Sequence, residues 1–225
     1  MAARARSPQR PTRASAPRGR ATGTREDALP LRERCVRAAH GLVAEHGAGA
    51  LSLREVARLL RISHQAPYKH FPTRDDLLAE LMSRCWRDFA LELERVRPRG
   101  DARADLKALA ARYVAYADRH PHEYRLMFGA PWPDVAMHPR LGEEVARAFR
   151  ALRGLVRRAA PRGARPPADD DLEAMFVWAA IHGAMAVSSA EIMPALGVSK
   201  QVVRKSRAHA VSMVATALAA PARRG

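Results

Sequence analysis

Between His64 and His70 the chain carries two imidazoles, an amide, a phenol and an ammonium in seven residues, HQAPYKH. The set contains no nucleophile beside a base, but it is rich in groups that hydrogen-bond nucleic acid. An amide such as Gln65 suits adenine in a major groove, His64 can reach a base edge, and Ala66 can meet a thymine methyl. The flanking charge agrees. From Ser52 to Arg74 the basic residues are Arg54, Arg58, Arg61, Lys69 and Arg74, with Glu55 as the one acid, so phosphates would meet a positive surface.

Two short elements must position these groups. Leu53, Val56, Ala57 and Leu60 recur at helical spacing behind Ser52, which can cap the first. Ser63 can cap a second, and its two turns run from His64 to Phe71. Neither buries an apolar face alone, so both must cross and rest on a third helix, the helix-turn-helix arrangement that leaves the second helix free for the groove. The third helix is predicted over Leu31–His46, stopped by Gly47. Arg61 occupies the turn, which must therefore either hold a strained residue or take a slightly different geometry. Pro67 removes one early backbone bond from the second helix.

A length of 225 residues, 48% hydrophobic and 28% charged, suits one large or two modest globular units. No apolar run is long enough to span a membrane and no signal core follows the first arginines, so a cytoplasmic protein without membrane association is expected. The formal net charge is +16. Residues 1–25 hold seven Arg and no acid, and only four of the 39 basic residues are Lys. That first stretch reads as a disordered basic arm, able to reach phosphates or to remain a solvated tail. Cys35 and Cys85 each fall in a helical pattern without a nearby partner, as reduced core thiols do.

Beyond the pair, Pro72 ends the second helix, Thr73 caps the next, and Asp75 and Asp76 complement its dipole. This helix, predicted to about Arg97, connects to a second region at 98–220. Helices are predicted there over Ala104–Arg119, His122–Gly129, Leu141–Arg158, Leu172 to about Ile192 and Val198–Leu218, with a loop at Pro161–Ala168. The fold class is all-α.

The order LVAEHG, LSLREVARLLRIS, APYKHF, PTRDDLLAEL resembles the DNA-binding domain of the TetR/AcrR family of transcriptional repressors over about residues 31–82. FVWAAIHGAMAVSSAE, with Trp178, His182 and Gly183, resembles the WHG-type C-terminal domain of some of these regulators. The resemblance implies a helix-turn-helix domain at 26–74, a connecting helix at 73–97 and a ligand-binding and dimerisation domain at 98–220. Tyr68, Lys69 and His70 match the family's phosphate-contacting positions, and with Ser52, Arg54 and Arg74 they would fix register on double-stranded operator DNA, with Ser63 also among the expected DNA-binding residues. It further implies a homodimer held by the last two helices, and a repressor released by a small hydrophobic or amphipathic effector.

An effector site would draw on Tyr113, Tyr116, Tyr124, Met127, Phe128, Met175, Trp178, His182 and Met185, apolar groups with a few polar ones; an ordinary packed core is the plainer alternative for each. Glu191–Ser206 also reads as a helix-turn-helix, against which stand Met193 at a packed position and Pro194 inside its first helix. No HExxH, Cys/His metal spacing, phosphate loop or nucleophile elbow is present, so neither catalysis nor a cofactor is expected. Two other functions fit the pattern: a general DNA-binding protein that ignores ligands, and a small-molecule carrier or enzyme with a vestigial helix-turn-helix.

Overall fold

The computed structural model describes residues 28–159, 167–188, 195 and 197–219. The arm at 1–25 lies outside them, as do residues 191–194 and 196 of the rival helix-turn-helix. Among the described residues the regular structure is helical throughout: α1 (Leu31–His46), α2 (Leu53–Leu60), α3 (Arg74–Glu94), α4 (Ala102–Arg119), α5 (Pro121–Gly129), α6 (Pro139–Ala159), α7 (Pro167–Ser188) and α8 (Lys200–Ala219), with 3-10 turns at Ala48–Ala50 and Pro67–Lys69. None of these helices is long and apolar enough to cross a membrane.

Local signals set the ends. Gly47 takes φ 78° after α1 and returns its N–H to the Val43 carbonyl. Ser52 Oγ accepts the Glu55 N–H at 3.0 Å and starts α2. Thr73 and Asp76 form a complete capping box at the head of α3, each satisfying a donor that the helix leaves orphaned. Asp101 Oδ1 accepts from the N–H groups of Arg103 and Ala104, which moves the start of α4 to Ala102 from the expected Ala104. α7 begins at Pro167 instead of Leu172; proline is tolerated at a first helical position because its missing N–H would have had no partner.

Arg61 ends α2 at φ 54°, ψ 42°, the only non-glycine with positive φ among the described residues. Its N–H bonds to the Arg58 carbonyl and that of Ile62 to the Ala57 carbonyl, the paired bonds of a Schellman stop. A left-handed residue with a Cβ costs roughly 1–2 kcal/mol, part of which glycine gives back as backbone entropy. Arg61→Gly is therefore expected to stabilise the fold by about 0.5–1 kcal/mol in urea unfolding; a loss of stability would show that the arginine side chain contributes more than the strain removes.

The recognition segment departs from expectation. In place of two α-helical turns from His64 to Phe71, residues 64–66 form a turn and only Pro67–Lys69 is helical, in 3-10 geometry. Pro67 has no N–H to give Ser63, so the Ser63 carbonyl is taken by the Ala66 N–H at 2.9 Å, and Lys69 and His70 continue with three-residue spacing. Ser63 Oγ accepts the Gln65 N–H at 3.3 Å.

One continuous apolar core runs from α1 to α8, and α3 is its axis, lying on α1, α4, α5 and α6. At its edge sits the buried carboxylate of Glu80. Glu80 accepts from Arg32 of α1 at 2.7 Å, from Arg84 at 2.8 Å and from Arg140 of α6 at 3.4 Å. Burial by itself would raise this carboxyl, but the hydrogen bonds and charges of Arg32 and Arg84 outweigh burial and hold its pKa at about 2. Cys35 and Cys85 are buried free thiols, and burial raises Cys85 to about 12.

Candidate nucleic-acid interface and effector region

The helix-turn-helix surface is built on Phe71, which is 2% exposed and lies beneath the Arg32 guanidinium, 5.1 Å from ring centroid to Cζ. With Phe71 and Pro67 buried, the residues between and before them face outward: His64, Gln65, Tyr68, Lys69 and His70 are all exposed, and Ala66 and Ser52 are half-buried. Tyr68, at 39% exposure, belongs to the surface, whereas Phe71 is core. On α2, Arg58 grips the Glu55 carboxylate at 2.6 and 2.9 Å; that hydrogen bond holds Glu55 below the usual carboxylate range. The acid of the segment is thus matched locally, and Arg54, Arg61 and Lys69 add their charge to an exposed positive face.

Arg74 is placed differently from the other nominated phosphate contacts. Its Nε donates to the Leu51 carbonyl at 3.1 Å, its Nη2 to the Ala48 carbonyl at 2.8 Å and its Nη1 to Asp75 at 3.0 Å. These bonds latch the first turn of α3 to the segment joining α1 and α2, so Arg74 positions the surface from within it.

The nominated effector residues divide into three groups. Tyr113, Tyr124 and His182 converge: Tyr124 Oη lies 2.7 Å from His182 Nδ1 and 3.1 Å from Tyr113 Oη, and Tyr113 Oη lies 3.3 Å from the same nitrogen. Burial lowers the His182 pKa and raises those of both tyrosines, so the ring is neutral near pH 7. The consistent assignment has Tyr113 donating to Tyr124, and Tyr124 to an unprotonated Nδ1. Phe128 packs on His182 at 4.5 Å and on Trp178 at 6.4 Å. Tyr116 and Met127 belong to another contact, since Tyr116 Oη donates to the Cys85 carbonyl at 3.0 Å and lies beside the Met127 sulfur. Met185 is buried in the core, whereas Met175 is 55% exposed. Met175 and Trp178 line an apolar groove of about 510 Å³ between α6 and α7.

A profile described as "Bacterial regulatory proteins, tetR family" matches residues 36–81, and one described as "Tetracyclin repressor-like, C-terminal domain" matches residues 106–211. The chain belongs to the tetR family. The first profile runs from within α1 through α2 and the recognition turn into α3; the second contains Trp178, His182 and Gly183. Among curated relatives, the HTH-type transcriptional regulator Rv1816 of Mycobacterium tuberculosis is 31% identical over 121 residues, 52% of each chain, and the HTH-type transcriptional regulator Mb1846 of Mycobacterium bovis matches equally. The chain thus spans about half the length of the curated relatives it matches. Among solved structures, a protein of unknown function from Rhodococcus sp. RHA1 is 27% identical with a TM-score of 0.68, covering 85% of this chain and 97% of that one. SmeT, the repressor of the Stenotrophomonas maltophilia multidrug efflux pump SmeDEF, shares the fold at 20% identity and a TM-score of 0.60, covering 85% and 91%.

Three further aromatic residues pack beside the nominated effector residues of this tetR-family chain and were not nominated with them. Trp86 is 1% exposed at the centre of an aromatic cluster, with Phe128, Trp132 and Trp178 centroids at 5.1, 5.8 and 5.9 Å. Phe149 packs against Trp178, ring centroids 5.7 Å apart and tilted by 40°. Trp86 sits in register with Met82, Phe89 and Leu93 of α3, a pattern that signals core and nothing more. Trp132 lies on a non-helical segment, where periodicity carries no information.

Proposed function

We propose that the protein is a sequence-specific transcriptional regulator, a homodimeric repressor that leaves operator DNA when a small hydrophobic or amphipathic effector binds its C-terminal region. The observation that carries the DNA half is the exposed row His64, Gln65, Tyr68, Lys69 and His70, set on a turn anchored by Phe71 inside the segment that matches the tetR profile. In this reading His64, Gln65 and Ala66 read bases. Tyr68, Lys69, His70, Arg54, Ser52 and Ser63 meet or frame the phosphates, and Arg74 holds the turn in place.

The coupling follows α3. The helix starts three residues after Phe71 and lies on α1, α4, α5 and α6, so a shift of the effector layer is felt at the recognition turn. The effector must bind the DNA-incompetent arrangement more tightly, because equal affinity for both shifts nothing.

Selection of bound fragments from random DNA tests this directly. A recovered palindrome establishes specificity and two-fold symmetry; retention of fragments with no shared sequence would leave a general DNA binder. On the selected site, Lys69→Ala is expected to weaken binding to all sequences and to reduce the salt slope by about one. Gln65→Ala is expected to relax preference at one base pair and to cost roughly 1–3 kcal/mol there. Uniform losses on all DNA for Gln65→Ala would contradict its base-reading role.

A further inference from the structure

We infer that the groove between α6 and α7 is the seat of the effector, and that the effector is a flat, uncharged aromatic molecule carrying a hydrogen-bond acceptor that pairs with the Trp86 indole N–H. The inference rests on the effector-released regulator proposed above and names its site and ligand chemistry.

The first observation is the groove itself. At about 510 Å³ it falls in the range of small-molecule sites. Trp132, Val145, Phe149, Met175 and Trp178 form its walls, and no charged residue lines it among the described residues. An ion would enter without a counter-charge and lose its hydration, so a neutral ligand is selected. The walls are held in place. Trp132 Nε1 donates to the Met127 carbonyl at 3.0 Å, and Gly142 lets the segment bearing Trp132 and Val135 close on α6, because a Cβ there would stand 2.9 Å from Val135 Cγ1.

The second observation is independent of the cavity. Trp86, packed between Trp132 and Trp178, has a buried Nε1 with no acceptor among the described residues. Buried indole N–H groups ordinarily find a partner. An unpaired donor behind two walls of an apolar groove selects a ligand with an acceptor and disfavours a cation, which would face the positive end of the N–H. Trp86 belongs to α3, so an acceptor drawn to its N–H acts on the helix that carries the recognition turn.

The three tryptophans of the chain, Trp86, Trp132 and Trp178, all sit here, so intrinsic emission reports on the site. Coumarin supplies a flat neutral ring with a carbonyl, naphthalene a similar shape without an acceptor, and naphthoate a similar shape with a charge. Titrated into the full chain by emission and calorimetry, coumarin is expected to quench saturably and to bind roughly tenfold tighter than naphthalene, with naphthoate weakest. Trp86→Phe is expected to abolish the preference of coumarin over naphthalene. Met175→Glu, at an exposed position that the fold does not need, is expected to weaken both neutral probes roughly tenfold.

Absence of saturable coumarin binding, equal affinity for coumarin and naphthalene, a preference for naphthoate, or indifference to Met175→Glu overturns the assignment. Binding with all the expected sensitivities but no change in DNA affinity removes the effector role and leaves the groove's ligand chemistry. DNA release by another molecule that ignores both substitutions overturns the site and leaves the regulator standing.

Discussion

Glu80→Gln is expected to lower the stability of the folded chain at pH 7 by about 3 kcal/mol and to flatten its stability profile in acid. Lowering a carboxyl from an ordinary 4.5 to about 2 corresponds to a contribution of that size. The folded value lies below the unfolded one, so the contribution is fully present above about pH 4.5. It is lost progressively as pH falls toward 2. The difference between the wild type and Glu80→Gln in urea unfolding should therefore be largest at neutral pH and shrink toward zero near pH 2, whatever other carboxylates do in both proteins. The location explains the size: Glu80 is 8% exposed and receives guanidinium groups from α1, α3 and α6. Removing its charge leaves those cations facing one another across a partly buried site, the costly case of a broken ion cluster. A constant difference across the whole pH range would show that packing of the side chain, and not its ionisation, holds the three helices.

Glu80 also marks where sequence reasoning stopped. The helices of the DNA-binding unit were legible because their stop and start residues act locally: Gly47 ends α1, Ser52 starts α2, and Thr73 with Asp76 starts α3, each through bonds to its own neighbours. Strain at Arg61 was one of two outcomes open in the sequence, and the structure selects it, since a left-handed stop is a property of one residue and the turn it closes. The shortening of the recognition helix was half legible. Pro67 announced the missing bond, but whether the chain would keep α geometry around it or tighten into a 3-10 turn is decided by the burial of Pro67 and Phe71 together. Arg74 looked like one more phosphate-binding cation, and only the fold brings the carbonyls of Ala48 and Leu51, over twenty residues upstream, to its guanidinium. The same limit applies to the effector region. Tyr113, Tyr124 and His182 could be nominated from residue type, yet their convergence spans 69 residues, and the orphan N–H of Trp86 belongs to a ring enclosed by Phe89, Phe128, Trp132 and Trp178. Interactions between elements distant in sequence leave no periodic trace to read.

Phe176→Arg is expected to separate the protein into monomers and to lower affinity for a two-half-site operator on the order of a thousandfold at fixed salt, while leaving its helix content unchanged. The last two helices carry apolar side chains that the single chain does not cover. On α7, Leu172, Phe176 and Val187 are 71%, 51% and 59% exposed, and on α8, Val202 and Met213 are 54% and 59% exposed. Leu172, Phe176, Ala179 and Gly183 recur at four- and three-residue spacing, so they form one stripe along α7; Gly183 meets nothing within 4 Å of where a Cβ would stand. An exposed stripe of this kind on each of two adjacent helices is poor in charge and rich in contact area, the character expected of a self-complementary surface related by a two-fold axis. An arginine at its centre would be desolvated against its own symmetry mate, so each dimer would bury two unpaired like charges. The fold within one chain loses little, because Phe176 is half in solvent. A recognition turn as short as Pro67–Lys69 makes few base contacts, and the proposed specificity needs two copies held at fixed separation. Sedimentation should accordingly show a mass change from dimer to monomer in step with the loss of operator binding. If Phe176→Arg stays dimeric, the contact lies elsewhere on the molecule; if it becomes monomeric yet binds the operator as before, the two-half-site device is not how this protein reads DNA.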